Sequence, residues 1–219
     1  VSIQIGELLI DDIQLGESFL GEKVNLTLSG TAALAGGEGS AEIKATRLGN
    51  KFGQFDINGS FNNETSVLAL LLDLEEGQNG LAATLLDLPG GPSVKLAIDG
   101  TGPINDYSAE IALATDGQDR IAGNFAQLVD AESRLVTLNV GGDVTPLFAP
   151  EYQAFFGSDI SLDVAARIAN NGPISLEAFD LVANEVQLSG RAEIAAQGWP
   201  ERLEIKGQIK GDGSDLVLL

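Results

Sequence analysis

The stretch Ile160–Ile168, with the sequence ISLDVAARI, alternates apolar and polar side chains. Successive side chains of a β-strand point to opposite faces, so a period of two separates the two sets. One face carries Ile160, Leu162, Val164, Ala166 and Ile168, and the other carries Ser161, Asp163 and Arg167. A turn with the sequence NNGP follows at 170–173, and the alternation then resumes. The stretch therefore predicts a half-buried strand that reverses into an antiparallel neighbour.

The same alternation recurs along most of the chain. Turn residues, chiefly Gly, Asn, Asp and Pro, interrupt it about every ten residues, which predicts roughly a dozen or more short antiparallel strands. The predicted fold class is mainly β: a long, curled antiparallel sheet that forms a trough with an apolar inner face, and two short helices. We expect the strands within 1–76, 93–141 and 158–219, as one continuous segment spanning 1–219.

A weak repeat places glycine in phase with the apolar face, in the pattern apolar-x-apolar-x-Gly. Its glycines are Gly30, Gly59, Gly100, Gly190 and Gly207. The alternation continues beyond them, for example from Gly190 to Ala192, so these glycines are expected inside strands. Interior glycine weakens a strand, and the usual reason for it is a tight bend or the close approach of another group. The repeat therefore predicts a sheet that curls toward its apolar face.

The first interruption of the strand pattern predicts a short helix over 78–88. Leu81, Leu85 and Leu88 recur at a helical period, and the sequence PGGP at 89–92 ends the segment.

The second interruption predicts a short helix over 146–156. Thr145 suits the capping position and Pro146 suits the first turn. The segment holds Phe148, Tyr152, Phe155 and Phe156, from a chain with 9 Phe and 2 Tyr. It fits both a plug over the apolar face and a connector packed on the core, and the sequence leaves both interpretations open.

Composition and charge exclude several classes of function. The chain has 219 residues and a net charge of −20, and it contains no Cys and no His. It therefore forms no disulfide, no zinc site of the usual kind, no Cys nucleophile and no Ser-His-Asp triad. The negative charge opposes binding to nucleic acid, whose affinity for proteins depends on Lys and Arg. The longest aliphatic runs are far short of the ~20 residues that a membrane-spanning helix needs.

The remaining polar motifs give weak signals. Asp11-Asp12 and the turn 211–215, GDGSD, lack the ligand spacing of a calcium loop, so we expect acidic turns without a metal. Trp199 is expected to be a packing residue in a turn. No cofactor and no catalytic group is indicated, and the chain is predicted not to be an enzyme.

The continuous apolar face permits two interpretations. In a closed β-sandwich, two such faces would bury each other. In an open trough, the face would receive acyl chains, and the in-phase glycines and scarcity of large aromatic fillers favour this alternative. The residues predicted to line a lipid-binding groove are Leu26, Leu28, Ile57, Leu96, Ile98, Ile111, Leu113, Ile160, Leu162, Val164, Val186, Leu188, Leu203 and Ile205.

Three stretches carry a resemblance to a known family. They are IQIGELLIDDIQLG at 3–16, LLDLPGGP at 85–92 and KLAIDGTGPI at 95–104. Together with the recurring Leu-Ser-Gly and Ile-x-Gly strands, they resemble the TamB family of the translocation and assembly module, within the AsmA-like superfamily of bridge-like lipid transfer proteins.

The resemblance implies a segment of a longer periplasmic protein of a Gram-negative bacterium, anchored in the inner membrane by a helix outside this sequence. It implies a U-shaped β-trough, or β-taco, that moves phospholipid between the inner and outer membranes and supports outer-membrane biogenesis. The implied partners are phospholipid acyl chains and, through the full-length chain, the outer-membrane barrel assembly protein TamA. The family offers no catalytic residues.

Two other classes of function stay open. One is a chaperone-like scaffold for the insertion of outer-membrane and autotransporter proteins, which would offer its sheet edges to polypeptides. The other is a structural β-domain of a secreted adhesin, whose interior would be filled by its own side chains.

Overall fold

The computed structural model describes residues 2–17, 22–170, 172–210 and 216–218. Over these residues the predicted fold class is confirmed: the chain is mainly β, with an open, curled antiparallel sheet and two short helices. The chain divides into two compact units. Unit 1 comprises Val1–Ile104 and Ala109–Asp119, and unit 2 comprises Asn105–Ser108 and Arg120–Leu219.

Unit 1 is an antiparallel meander in which each strand pairs with the next one in the sequence. Its strands are β1 (Ile3–Leu15), β2 (Val24–Ala35), β3 (Glu38–Leu48), β4 (Gly53–Asn62), β5 (Val67–Glu76), β6 (Val94–Pro103) and β7 (Asp106–Thr115). The last of these belongs to unit 1 from Ala109 onward.

Unit 2 repeats this architecture. Its strands are β8 (Gln118–Val129), β9 (Ser133–Gly142), β10 (Ile160–Ala169), β11 (Ile174–Val182), β12 (Val186–Ile194), β13 (Pro200–Lys210) and β14 (Leu216–Leu218). The first of these belongs to unit 2 from Arg120 onward.

The first helix, α1, spans Leu81–Leu85 and is shorter than the predicted 78–88. The backbone at both flanks explains the difference. Asn79 has a φ of +55° and Asp87 a φ of +51°, which is the left-handed region and does not continue an α-helix. Gly80, between Asn79 and the helix, is extended. The leucine period therefore identified the helix but not its ends.

The second predicted helix, 146–156, is in fact a 3-10 turn and a separate helix. The turn spans Thr145–Leu147, and α2 spans Pro150–Phe156. Ala149 is extended because the residue before a proline avoids the α region, and the helix starts afresh at Pro150. The expectation that Thr145 caps a single continuous helix is therefore wrong.

The repeated glycines lie inside strands, as predicted. The reason is clearest at Gly30 in β2 and Gly190 in β12. A Cβ added at Gly30 would lie 2.8 Å from the carbonyl oxygen of Glu42, and one added at Gly190 would lie 2.9 Å from that of Glu204. Real Cβ atoms do not approach so closely, so the neighbouring strand can come this near only because no side chain is present. Close approach of a neighbouring strand to an in-strand glycine thus occurs in both units.

Candidate functional site

The register of unit 1 builds two adjacent rows of apolar residues across the strands. Residues directly opposite each other in an antiparallel ladder lie on the same face. The first row contains Ile10, Leu28, Ala45, Phe55, Leu74, Leu96 and Leu113. The second row contains Leu8, Gly30, Ile43, Ile57, Leu72, Ile98 and Ile111. We call these two the middle rows of unit 1.

Unit 2 has two equivalent rows on one face, which we call its middle rows. One contains Gly123, Val140, Leu162, Leu181, Leu188 and Gly207. The other contains Phe125, Leu138, Val164, Phe179, Gly190 and Ile205. Gly190 is opposite Ile205 here, as Gly30 is opposite Ile43 in unit 1.

The structure places the predicted lining residues on these faces, unit by unit. In unit 1 the middle rows include Leu28, Ile57, Leu96, Ile98, Ile111 and Leu113, and Leu26 lies on the same face next to them. In unit 2 the middle rows include Leu162, Val164, Leu188 and Ile205. Ile160, Val186 and Leu203 share that face beyond the middle rows.

The side chains of the middle rows are only partly covered. None of their aliphatic or aromatic side chains is fully buried, and several remain well exposed: Ile43 by 37%, Leu8 by 44% and Ile205 by 62%. The opposing layer of a closed β-sandwich would bury such rows. The sandwich alternative is therefore wrong for the part of the chain that the structure describes.

The total surface area supports the same conclusion. The accessible surface is 13674 Å² for a chain of 22.8 kDa. A compact folded chain of this mass exposes about 9600 Å². Large hydrophobic side chains contribute to this surface: Leu9 is 59% exposed and Leu203 is 64% exposed.

A helical segment closes one end of the apolar face of unit 1. Val24, Ala83 and Val94 lie there and are at most 3% exposed. Glu76, the last residue of β5, is 5% exposed, and its Oε2 accepts a hydrogen bond of 2.6 Å from the backbone N–H of Ala82 in α1. The carboxylate thereby fixes the helix over the strand ends. We call this region cap 1.

A second buried charge, Arg47, shares the same face at cap 1, opposite Leu26. Its side chain is 7% exposed, and its Nη2 donates a 3.1 Å hydrogen bond to Glu22. Lys51 Nζ donates to the same carboxylate at 3.0 Å. The hydrogen bond from Lys51, and then that from Arg47, holds the pKa of Glu22 below its ordinary value although partial burial acts to raise it. Neither residue was identified from the sequence, because their proximity depends on the register.

A different set of contacts closes one end of the apolar face of unit 2. The rings of Phe148 and Phe156 stack with centroids 4.0 Å apart, and Phe155 meets Phe156 edge to face at 5.1 Å. The backbone N–H of Asn184, in the β11–β12 turn, donates to the carbonyl of Phe156 at 3.0 Å. Val186 nearby is 5% exposed. We call this region cap 2; it packs at the strand ends and leaves the middle rows partly exposed.

The opposite end of unit 2 is held by polar contacts. Asp130 accepts hydrogen bonds from the backbone N–H groups of Glu132 and Ser133, at 2.8 and 2.7 Å, and these bonds lower its pKa. Arg167 donates to Glu177 at 2.6 Å, which raises the pKa of the guanidinium. These contacts satisfy the charges next to the strand ends.

Trp199 lies in the β12–β13 turn at this same end. The turn is closed by the backbone N–H of Ala195, which donates to the carbonyl of Trp199 at 2.8 Å. The side chain is 75% exposed. The expectation of a turn is confirmed, but the expectation of a packing role is wrong, because no neighbouring element covers the indole.

The polar face of unit 2 carries a cavity of about 290 Å³. It is lined by Glu177, Asp180, Arg191, Glu204 and Lys206, among others. Its charges are of both signs and partly paired, so it presents no concentrated field for a charged ligand. The aliphatic face is the more distinctive feature of the unit.

The acidic motifs show no metal-binding arrangement among the described residues. Asp11 and Asp12 lie at a β-bulge of β1, between Ile10 and Ile13. No group of three or more Asp or Glu that could hold an ion is present in the part of the chain described. The second motif, 211–215, lies outside it.

No helix within the described ranges is both long and apolar enough to span a lipid bilayer.

Comparison with protein-family models, with curated proteins and with solved structures found no match to this chain.

Proposed function

We propose that this chain is a non-enzymatic lipid-binding segment, whose aliphatic faces hold acyl chains and allow them to pass from strand to strand. The observation that carries the proposal is the pair of middle rows in each unit. They form continuous aliphatic surfaces that are partly exposed and not covered by an opposing layer. Contiguous exposed apolar surface of this kind is typical of a site for an apolar ligand or partner.

Burial of acyl chains supplies the binding energy. Each methylene group that leaves water for an apolar surface contributes ~0.8 kcal/mol, so a complete acyl tail is strongly retained. Movement along a row costs little, because the tail exchanges one aliphatic neighbour for another, as from Leu72 to Ile98 and then to Ile111. The faces therefore favour retention together with lateral mobility.

The wider role is part of the same proposal. The chain acts as a segment of a periplasmic protein that is anchored in the inner membrane and conducts phospholipid to the outer membrane, with TamA as the partner of the full-length chain. The support for this role is the resemblance of the three stretches to the TamB family, together with the uncovered aliphatic faces.

Neighbouring leucines of β5 provide a matched test. Leu72 lies in a middle row, whereas Leu71 lies on the opposite face, where it is 38% exposed and paired with Asn58. The 219-residue chain and its Leu72→Glu and Leu71→Glu variants are purified without detergent. The lipids they retain are then extracted and quantified by mass spectrometry, per mole of protein.

We expect Leu72→Glu to retain several-fold less acyl lipid than the unchanged chain, because a carboxylate on the face must be desolvated by each passing tail. Leu71→Glu should retain the original amount. Equal retention by the two variants, or no acyl lipid on the unchanged chain, would contradict the proposal. Thermal unfolding of each variant verifies that it is folded.

Photo-crosslinking separates this function from the scaffold alternative. A photoreactive residue at Ile98, in a middle row, is expected to capture lipid in cells, and one at Asp99, on the opposite face, is not. Capture of polypeptide instead of lipid at Ile98 would favour a chaperone-like scaffold. Capture of neither would favour a structural domain.

A further inference from the structure

Unit 2 carries a single cation on the aliphatic face among the described residues of its strand ladders. Arg134 in β9 alternates in phase with Val136, Leu138 and Val140, and it is directly opposite Val129 and Ile168. Its position in the register therefore places it in the last row of the face, which it shares with Val129, Ile168, Ile174 and Ile194. Arg167 and Arg191 occupy the polar face.

The guanidinium of Arg134 is available for a ligand. The residue is exposed, and no carboxylate in the described residues lies within ion-pair distance of it. Asp130, in the β8–β9 turn, is engaged by backbone amides and lies 3.9 Å from Arg167. An unpaired cation on a chain with a net charge of −20 is an unusual feature of an aliphatic surface.

The distance from Arg134 to cap 2 is long enough to accommodate an acyl chain. Gly142, the last residue of β9, follows Arg134 by eight positions, which at ~3.3 Å per residue is about 26 Å. One leaflet of a bilayer provides about 15 Å of hydrocarbon, half of the ~30 Å core. A lipid tail that lies along Val136, Leu138 and Val140 therefore fits between the cation and the closed end.

A second feature marks the same end as a polar boundary. Trp199 follows directly after Ile194 and its turn, and Ile194 belongs to the same row as Ile168 and Arg134, through Ile174. Trp199 is the single Trp of the sequence, and its indole is 75% exposed. Trp side chains favour the boundary between hydrocarbon and polar head groups, because one end of the ring system is apolar and the other donates a hydrogen bond.

We infer that Arg134 is a specificity-determining residue that binds the anionic head group of a lipid whose acyl chain lies along β9 toward cap 2. This inference rests on the proposed function and deepens it by assigning the ligand class: an acyl lipid with a phosphate or carboxylate head group. The planar guanidinium donates two parallel hydrogen bonds to either oxyanion, and its aliphatic stem lies along the apolar row.

The test compares three single-chain lipids that share one acyl chain and differ in the head group. They are a lysophosphatidic acid, which carries a phosphate, the corresponding fatty acid, which carries a carboxylate, and the neutral monoacylglycerol. The 219-residue chain, Arg134→Gln, Arg134→Lys and Arg191→Gln are titrated below the critical micelle concentrations. Displacement of a neutral fluorescent acyl probe reports the affinity. Arg191 is a suitable control because it carries the same charge but lies on the polar face, opposite Glu204.

We expect Arg134→Gln to weaken binding of an anionic lipid roughly three- to tenfold, to leave the monoacylglycerol unchanged, and to reduce the salt dependence. Arg134→Lys should retain part of the affinity, and Arg191→Gln all of it. The anionic lipid that loses more affinity identifies the head group as phosphate or carboxylate.

Three outcomes overturn the inference, and they differ in what else they affect. Equal weakening of all three lipids by Arg134→Gln, or no weakening of any, would exclude a head-group contact while leaving acyl binding by the aliphatic face intact. Failure of the unchanged chain to bind any of the three lipids would remove both the inference and the proposed function.

Discussion

Unit 1 and unit 2 have the same strand pattern and the same glycine bends, but they close their apolar faces by different chemistry. Cap 1 uses buried charge: Glu76 accepts an amide hydrogen bond from α1, and Arg47 is neutralised by Glu22. Cap 2 uses the stacked rings of Phe148 and Phe156. The two units therefore share the aliphatic middle rows, whereas each unit closes its strand ends in its own way.

The substitution with the largest expected effect, Gly123→Ala, tests how closely the strands approach each other. A Cβ added at Gly123 of unit 2 would overlap the carbonyl oxygen of Asn139 and lie 2.6 Å from the Cα of Val140. A Cβ added at Gly59 of unit 1 would meet its nearest atom, a carbonyl oxygen, at 3.9 Å, which is an ordinary contact. We expect Gly123→Ala to lower the free energy of unfolding by about 2–3 kcal/mol, because the backbone must shift.

Gly59→Ala serves as the matched control, and it should leave stability unchanged or raise it by up to about 1 kcal/mol. Urea denaturation measures the difference, and hydrogen exchange by mass spectrometry locates it to β8 and β9. If both substitutions cost the same, the tight strand approach at Gly123 is not a property of the folded unit.

Much of this architecture could be predicted from the sequence because it depends on local periodicity. Alternation is decided within a single strand, so the strands, the apolar faces and the in-strand glycines, such as Gly30, could all be predicted from the sequence. The ends of α1 could not be predicted, because the left-handed backbone at Asn79 and Asp87 is set by the turns and not by the leucine period. Trp199 was misassigned because the sequence cannot show which turns are covered by another element.

The caps could not be predicted for a different physical reason. Arg47 and Glu76 interrupt the apolar alternation of their own strands, but their proximity to each other depends on the register across β3, β4 and β5. Residues that are far apart in the sequence can be placed next to each other only once that register is known. Arg134 likewise breaks the apolar alternation of β9, but it was not singled out from the sequence, and its lack of an ion-pair partner became apparent only in the structure.

The next prediction tests the charged closure of unit 1. Glu76 is buried and accepts the amide of Ala82, so Glu76→Ala leaves that N–H unsatisfied and opens space beside the helix. We expect a loss of roughly 1–2 kcal/mol in the free energy of unfolding, with faster hydrogen exchange in α1. The neighbouring Glu75, which is exposed and paired with Gln54 and Lys95 in the ladder, provides the control.

Glu75→Ala should change stability by no more than about 0.5 kcal/mol, as is usual for an exposed position. Exchange in α2 should be the same in both variants, because α2 belongs to unit 2 and Glu76 to unit 1. A loss of protection in α1 that is equal for Glu75→Ala and Glu76→Ala would show that cap 1 does not depend on the buried carboxylate.

The smallest expected effect is the response of cap 1 to acid. The hydrogen bonds from Lys51 and Arg47 place the pKa of Glu22 below its ordinary value, so the folded state favours the ionised carboxylate. Its contribution is therefore fully present above the pKa of the unfolded chain and is lost as the pH falls through the lower pKa of the folded state, below about pH 5. Because the side chain remains 30% exposed, solvent screening limits the contribution to no more than about 1 kcal/mol. Glu22→Gln should flatten the stability profile below about pH 5, whereas Glu64→Gln, at an exposed turn residue, should not. Urea denaturation across this range measures the profile, and an unchanged slope in Glu22→Gln would assign the acid sensitivity of unit 1 to other carboxylates.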